Sequence, residues 1–135
     1  MNSRDIYQTL VRALARDLEK QGYQRVKGTF PSWTKLRNGK FATVWFQAAR
    51  RGGEFTIEFQ YSLKPEPGTA KWNERQRLFE LLHDAERRDV SRKFPMGAMT
   101  ANNDYWFLAR DRDSVVAVAE WLKTRLDALM ARIVA

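Results

Sequence analysis

The chain has no cysteine and a single histidine, His83, in 135 residues. Without thiols it cannot hold a disulfide scaffold, a thiolate metal site or a cysteine nucleophile. One imidazole leaves no histidine cluster for a metal, and any Ser-His-Asp arrangement has to be built on His83. Long apolar runs are missing too. The longest, Val115 to Ala119, falls far short of the roughly 20 residues a spanning helix needs. The opening Met1-Asn2-Ser3-Arg4-Asp5 lacks the apolar stretch of a secretory signal, so the expectation is a cytoplasmic protein with no membrane partner.

What is present suits one domain, residues 1–135. Hydrophobic residues make up 44% of the chain and aromatics 13%, which excludes disorder as the default state. A 15.8 kDa chain buries about two-thirds of its unfolded surface, enough for a core without covalent staples. The net charge of +8 is uneven: residues 1–64 hold twelve basic and five acidic side chains, residues 65–135 twelve and eleven. A basic half beside a nearly neutral one points to an acidic partner, either protein or nucleic acid, or simply to solubility.

Residues 3–21 read as an amphipathic helix, with Ile6, Leu10, Leu14 and Leu18 recurring every four positions. Ser3 is placed to cap its start and Gly22 its end. Residues 28–64 read as three antiparallel strands joined at Asn38-Gly39 and Gly52-Gly53, dipeptides that tolerate the positive φ of tight hairpins. Two-residue loops at both places fix the registers. Paired residue numbers then add to 77 in the first hairpin and to 105 in the second, which sets Val44 opposite Tyr61 and Phe46 opposite Phe59. One face gathers Trp33, Ala42, Val44, Phe46, Ala48, Phe55, Ile57, Phe59 and Tyr61, nearly all apolar. The other carries Phe30, Thr34, Thr43, Trp45, Gln47, Glu58 and Gln60.

Two prolines and a glycine make residues 64–72 a loop, and Asn73 with Gln76 suggests a capping box opening a helix through Leu78, Leu81 and Leu82. Residues 84–103 show no clear period. Tyr105-Trp106-Phe107-Leu108 reads as a fourth strand, and a last helix runs from about Asp113. The expected architecture is α+β: an antiparallel three- to four-stranded meander packed on one face by the N- and C-terminal helices.

The segment Gly22-Tyr23-Gln24-Arg25, followed by Phe30, leads into a meander with a Phe46-Gln47 pair, an alternating Phe55-Thr56-Ile57-Glu58-Phe59 and a later Tyr105-Trp106-Phe107. This order resembles an uncharacterised bacterial domain-of-unknown-function family of small α+β proteins. In that family a G-[FY]-x-[RK] segment precedes a meander with an F-Q pair. The chain departs from the family at Phe59-Gln60-Tyr61, where the family tends to have a glycine. The resemblance implies the same fold and no particular chemistry.

Two constellations are candidates for function. Trp45 on the central strand is flanked by Phe30, Thr34, Thr43, Gln47, Glu58 and Gln60, an indole among polar groups suited to stacking a planar ligand. Equally, a helix covers this face and the same residues are packing. Arg25, Lys27, Lys40, Arg50 and Arg51 form a basic rim beside the aromatic face, the combination that binds single-stranded nucleic acid. Catalysis has little support. His83 falls at a helix end, Glu54 and Glu58 lie about 13 Å apart along an ideal strand, and no phosphate-binding glycine loop leads into a helix. Asp104, Asp111 and Asp113 hint at a cation site, but no calcium-loop spacing accompanies them, and Asp113 is better placed as a helix cap. The reading is a non-enzymatic binding module of unknown partner, with no cofactor and no metal. Its alternatives are a single-stranded nucleic-acid binder and an immunity-type inhibitor of an acidic protein.

Overall fold

Ile6, Leu10, Leu14 and Leu18 form one fully buried stripe on the first helix, α1 (Ser3–Lys20), of the computed structural model, which describes residues 1–99 and 104–133. The N-cap is Asn2 rather than Ser3: its side chain accepts from the Asp5 amide at 2.8 Å. At the other end the Tyr23 amide donates to Leu18 O and the Gly22 amide to Glu19 O, both at 3.0 Å. This is the paired closure that needs a left-handed residue, and Gly22 supplies it at φ +95°.

Strands β1 (Gln24–Arg25), β2 (Ser32–Arg37), β3 (Lys40–Ala48) and β4 (Glu54–Ser62) follow. A 3-10 turn at Trp72–Glu74 then leads into β5 (Arg75–Arg77), α2 (Leu78–Leu81), α3 (Asp84–Lys93), β6 (Met96–Met99), β7 (Tyr105–Leu108), α4 (Arg112–Lys123) and α5 (Leu126–Ile133). Among the described residues the sheet has seven strands, not three or four, all antiparallel, in the order β1-β2-β3-β4-β7-β6 with β5 on β4. The free edge of β4 is shared: β7 pairs with Glu54 and Phe55, and β5 with Glu58 to Gln60. The extra strands escape a periodicity reading because β1 and β5 are two and three residues long, too short to show an alternation.

The first hairpin has the counted register, Ser32 facing Trp45 and Arg37 facing Lys40, around Asn38 (φ +50°) and Gly39 (φ +84°). The second is corrected by two residues. Its loop spans Ala49 to Gly53, closed by Ala49 N–H donating to Glu54 O at 2.8 Å, so Val44 faces Phe59, Phe46 faces Ile57 and Ala48 faces Phe55. An even shift changes partners but not faces, because side chains alternate with a period of two. The apolar face therefore stays whole. The α1 stripe joins Val115, Val118, Ala119 and Leu122 of α4 and Leu126, Leu129 and Met130 of α5 in one cluster with Trp33, Val44, Phe46 and Phe59.

Four helical expectations change in detail. The helix expected from Asn73 is a 3-10 turn and a strand, and α2 begins only at Leu78, where Arg77 N–H donates to the Glu80 carboxylate at 3.0 Å. His83 opens α3 rather than closing a helix, its amide bonded to the Glu86 carboxylate at 2.8 Å. The last helix breaks at Thr124-Arg125 into α4 and α5. Its N-cap is Asp111, which accepts from the Ser114 amide at 2.8 Å, not Asp113. Of the unread stretch 84–103, residues 100–103 lie outside the described residues. Among the described residues no helix is long and apolar enough to cross a membrane.

Candidate functional site

The polar face of the meander is closed. Ser32, Thr34, Thr43 and Trp45 are buried, as are Thr56, Glu58, Gln60 and Ser62. Buried polar groups need partners, and most find them inside the chain. The Thr34 and Thr43 hydroxyls meet at 2.8 Å. Gln60 Nε2 donates to the Glu66 carbonyl at 3.0 Å and to Ser62 Oγ at 3.2 Å, while Gln60 Oε1 accepts from the Gly68 amide at 3.3 Å. The cover is not a helix. It is the chain between residues 64 and 77, together with Phe30, whose ring lies 5.1 Å from that of Trp45. The expectation of an open indole platform is thereby corrected: Trp45 is 3% exposed, Gln60 holds the cover down, and Thr34 and Thr43 bond to each other instead of facing a ligand.

Beside this cover lies a cleft of about 490 Å³, lined by Gln47, Glu58, Trp72, Arg75, Arg77 and Asp104 among others. The sheet ladder places them. Glu58 pairs with Trp45 on β3 and with Arg77 on β5, while Gln60 pairs with Arg75, so strand alternation turns both arginines to the Glu58 face. Asp104, just ahead of β7, meets Arg77 Nε at 2.5 Å, and Arg77 also reaches Glu80 at 3.6 Å. Burial, and then the neighbouring Asp104 carboxylate, push Glu58 up to about 7, against the opposing pull of Arg75 and Arg77. Glu58 thus holds its proton to higher pH than an exposed carboxyl does.

Arg75 differs from Arg77. Its guanidinium lies over Trp45, 5.5 Å from the ring centroid, and no carboxylate among the described residues is within ion-pair distance. Trp72 is 80% exposed, an indole face in water at the edge of the cleft. The cleft therefore offers a cation, an aromatic face, the Gln47 amide and a carboxyl group of adjustable protonation.

Of the ligand-contacting residues expected on the Trp45 face, Gln47 and Glu58 line this cleft and the rest do not. Trp72, Arg75 and Arg77 were hidden in a stretch that reads as loop and helix cap. The signal was there in Arg75-Gln76-Arg77, charges alternating with a period of two. Asp104 belongs to the cleft and Asp111 to a helix cap, and no group of three metal-binding side chains occurs among the described residues. The basic rim is dispersed. Arg25 stacks on Trp33 at 5.1 Å, and Lys40 lies 3.9 Å from Glu74 and 5.5 Å from the Tyr61 ring. Lys27, Arg50 and Arg51 are exposed. Lys40 starts β3 and Arg50 follows its end, roughly 26 Å away along the strand, so these cations do not form one surface. Compared with known proteins, the chain matches no family model, no curated protein and no solved structure.

Proposed function

We propose that the protein is a non-enzymatic binding module whose ligand is a small planar anion of the nucleotide type, held in the cleft between β4, β5 and Trp72. The observation that carries this reading is Arg75: a guanidinium fixed over a buried indole, in a polar cleft, with no carboxylate among the described residues within ion-pair distance. A phosphate or carboxylate supplies the missing partner. Trp72 offers the stacking face that Trp45 does not, and Gln47 and Glu58 offer hydrogen bonds to a ring edge. Among the described residues the cleft's lining includes no serine, lysine or histidine to act as a nucleophile beside the carboxyl pair, and Asp104 is taken up by Arg77, which favours binding over chemistry.

Isothermal titration with adenosine monophosphate, adenosine and inorganic phosphate tests it. The monophosphate binds more tightly than either part, and Arg75→Gln or Trp72→Ala each weakens it about tenfold, the scale of one charge-assisted bond or one stacked ring. Equal binding by both variants and wild type contradicts the site. A second reading, single-stranded nucleic acid, draws on the same indole and cation with Lys71 alongside. It requires labelled oligonucleotides to bind more tightly with length and to release with salt in proportion to phosphates contacted.

A further inference from the structure

We propose a second binding site, for an amphipathic monocarboxylate with a fatty-acid-like tail, in the groove between α4 and the Phe94-Pro95 turn. The groove has a volume of about 550 Å³, within the range of small-molecule sites, roughly 300–1,000 Å³. Its α4 wall is one helical stripe, Ser114, Ala117, Val118 and Trp121, continued by Arg125 beyond the helix end. At 1.5 Å per residue this wall is about 16 Å long. Facing it, Phe94 packs edge-on against Phe107 (5.8 Å) and Trp121 (6.1 Å), so the floor is aromatic. Val118 and Trp121 belong to the core, and the exposed Ala117 beside a half-buried Leu108 leaves apolar surface uncovered at its edge.

The edge of the groove gives the ligand its charge. Lys93, Arg110 and Arg125 line it, and none makes an ion pair with a carboxylate among the described residues. The one acid in the lining, Glu120, is engaged by Lys123 at 2.8 Å. Arg125 is occupied by the Trp121 carbonyl at 2.9 Å and lies over its ring, which leaves Lys93 and Arg110 for the anion. Arg110 sits at the start of the α4 wall, its amide donating to Ser114 Oγ at 3.1 Å, and Lys93 adjoins Phe94 on the facing side. An apolar trough bordered by two cations with no carboxylate partner among the described residues matches a tail with one carboxylate. A neutral tail leaves the cations unused, and a short acid leaves the trough empty.

The test is calorimetric titration of the full chain with dodecanoate below its micellar range, with dodecanol and acetate as comparators. Dodecanoate binds, and dodecanol and acetate are each weaker by about tenfold or more, the worth of one charge-assisted contact. Ala117→Trp, at an exposed helix position, fills the trough and abolishes binding; Ala117→Leu is the milder form if the first variant is misfolded by circular dichroism. Lys93→Glu with Arg110→Glu weakens dodecanoate but not dodecanol. Arg75→Gln leaves dodecanoate affinity unchanged, which separates this site from the cleft. No binding of dodecanoate, equal binding of dodecanol, or binding indifferent to Ala117→Trp overturns the proposal.

Discussion

Replacing Glu58 by glutamine raises stability in neutral and alkaline solution, and by an amount that depends on pH in a defined way. In the unfolded chain this carboxyl titrates near 4.5, and in the fold near 7. Between those values the folded protein holds a proton that the unfolded chain has released, so unfolding releases protons and stability falls as pH rises. Above the folded value the whole difference is expressed. About 2.5 pH units at about 1.4 kcal/mol each give a penalty of about 3 kcal/mol. Glutamine keeps the shape and the capacity to donate toward Asp104 but never ionises. Urea unfolding of both proteins from pH 5 to 9 therefore yields curves that lie close together at pH 5 and separate through pH 6 to 8, with the glutamine variant the more stable. Asp17 and Glu86, both held below the usual carboxylate range by Lys123 and Arg132 respectively, lose their contributions only in acid and do so equally in both proteins. Parallel curves, or a variant that is less stable at pH 8 than wild type, refute the idea that burial and Asp104 dominate over Arg75 and Arg77.

Two further substitutions probe the fold around the site. Trp45→Ala removes a nearly fully buried indole beneath Phe30 and Arg75, and costs about 3–5 kcal/mol in chemical denaturation; a loss below 1 kcal/mol shows that the face is not closed. Gly22→Ala forces a Cβ onto a left-handed residue at φ +95° and costs about 1–2 kcal/mol by the same measurement, with no change in cleft binding.

The half of the sheet built from long strands was readable because it depends on local chemistry. Asn38-Gly39 fixes a tight turn, and alternation through β3 and β4 separates apolar from polar positions. The second register failed because Arg50 and Arg51 join the two glycines in a longer loop, which composition does not distinguish from a two-residue turn. The core survived that error since the slip was even. The closure of the second face was not legible. Thr34, Thr43 and Gln60 look like an exposed polar face because polar residues usually signal water, whereas here their partners come from one another and from the backbone of residues 64–68. The decisive residue of the cleft, Arg75, lies in a three-residue strand paired to a distant edge, and its local trace, the alternation of Arg75-Gln76-Arg77, is too short to name a strand or its partner. Glu58 was legible as a polar residue on the right face, but its burial and its Asp104 neighbour required the fold.

The most direct measurement is the set of five tryptophan indole N–H signals in a nitrogen-15 correlation spectrum during titration with adenosine monophosphate. If the cleft is the site, the Trp72 indole shifts in a saturable way, Trp45 follows through Arg75, and Trp33 and Trp121 stay where they are. Saturation that leaves Trp72 unmoved, or no saturation up to millimolar ligand, contradicts the assignment of the Arg75 cleft as the binding site.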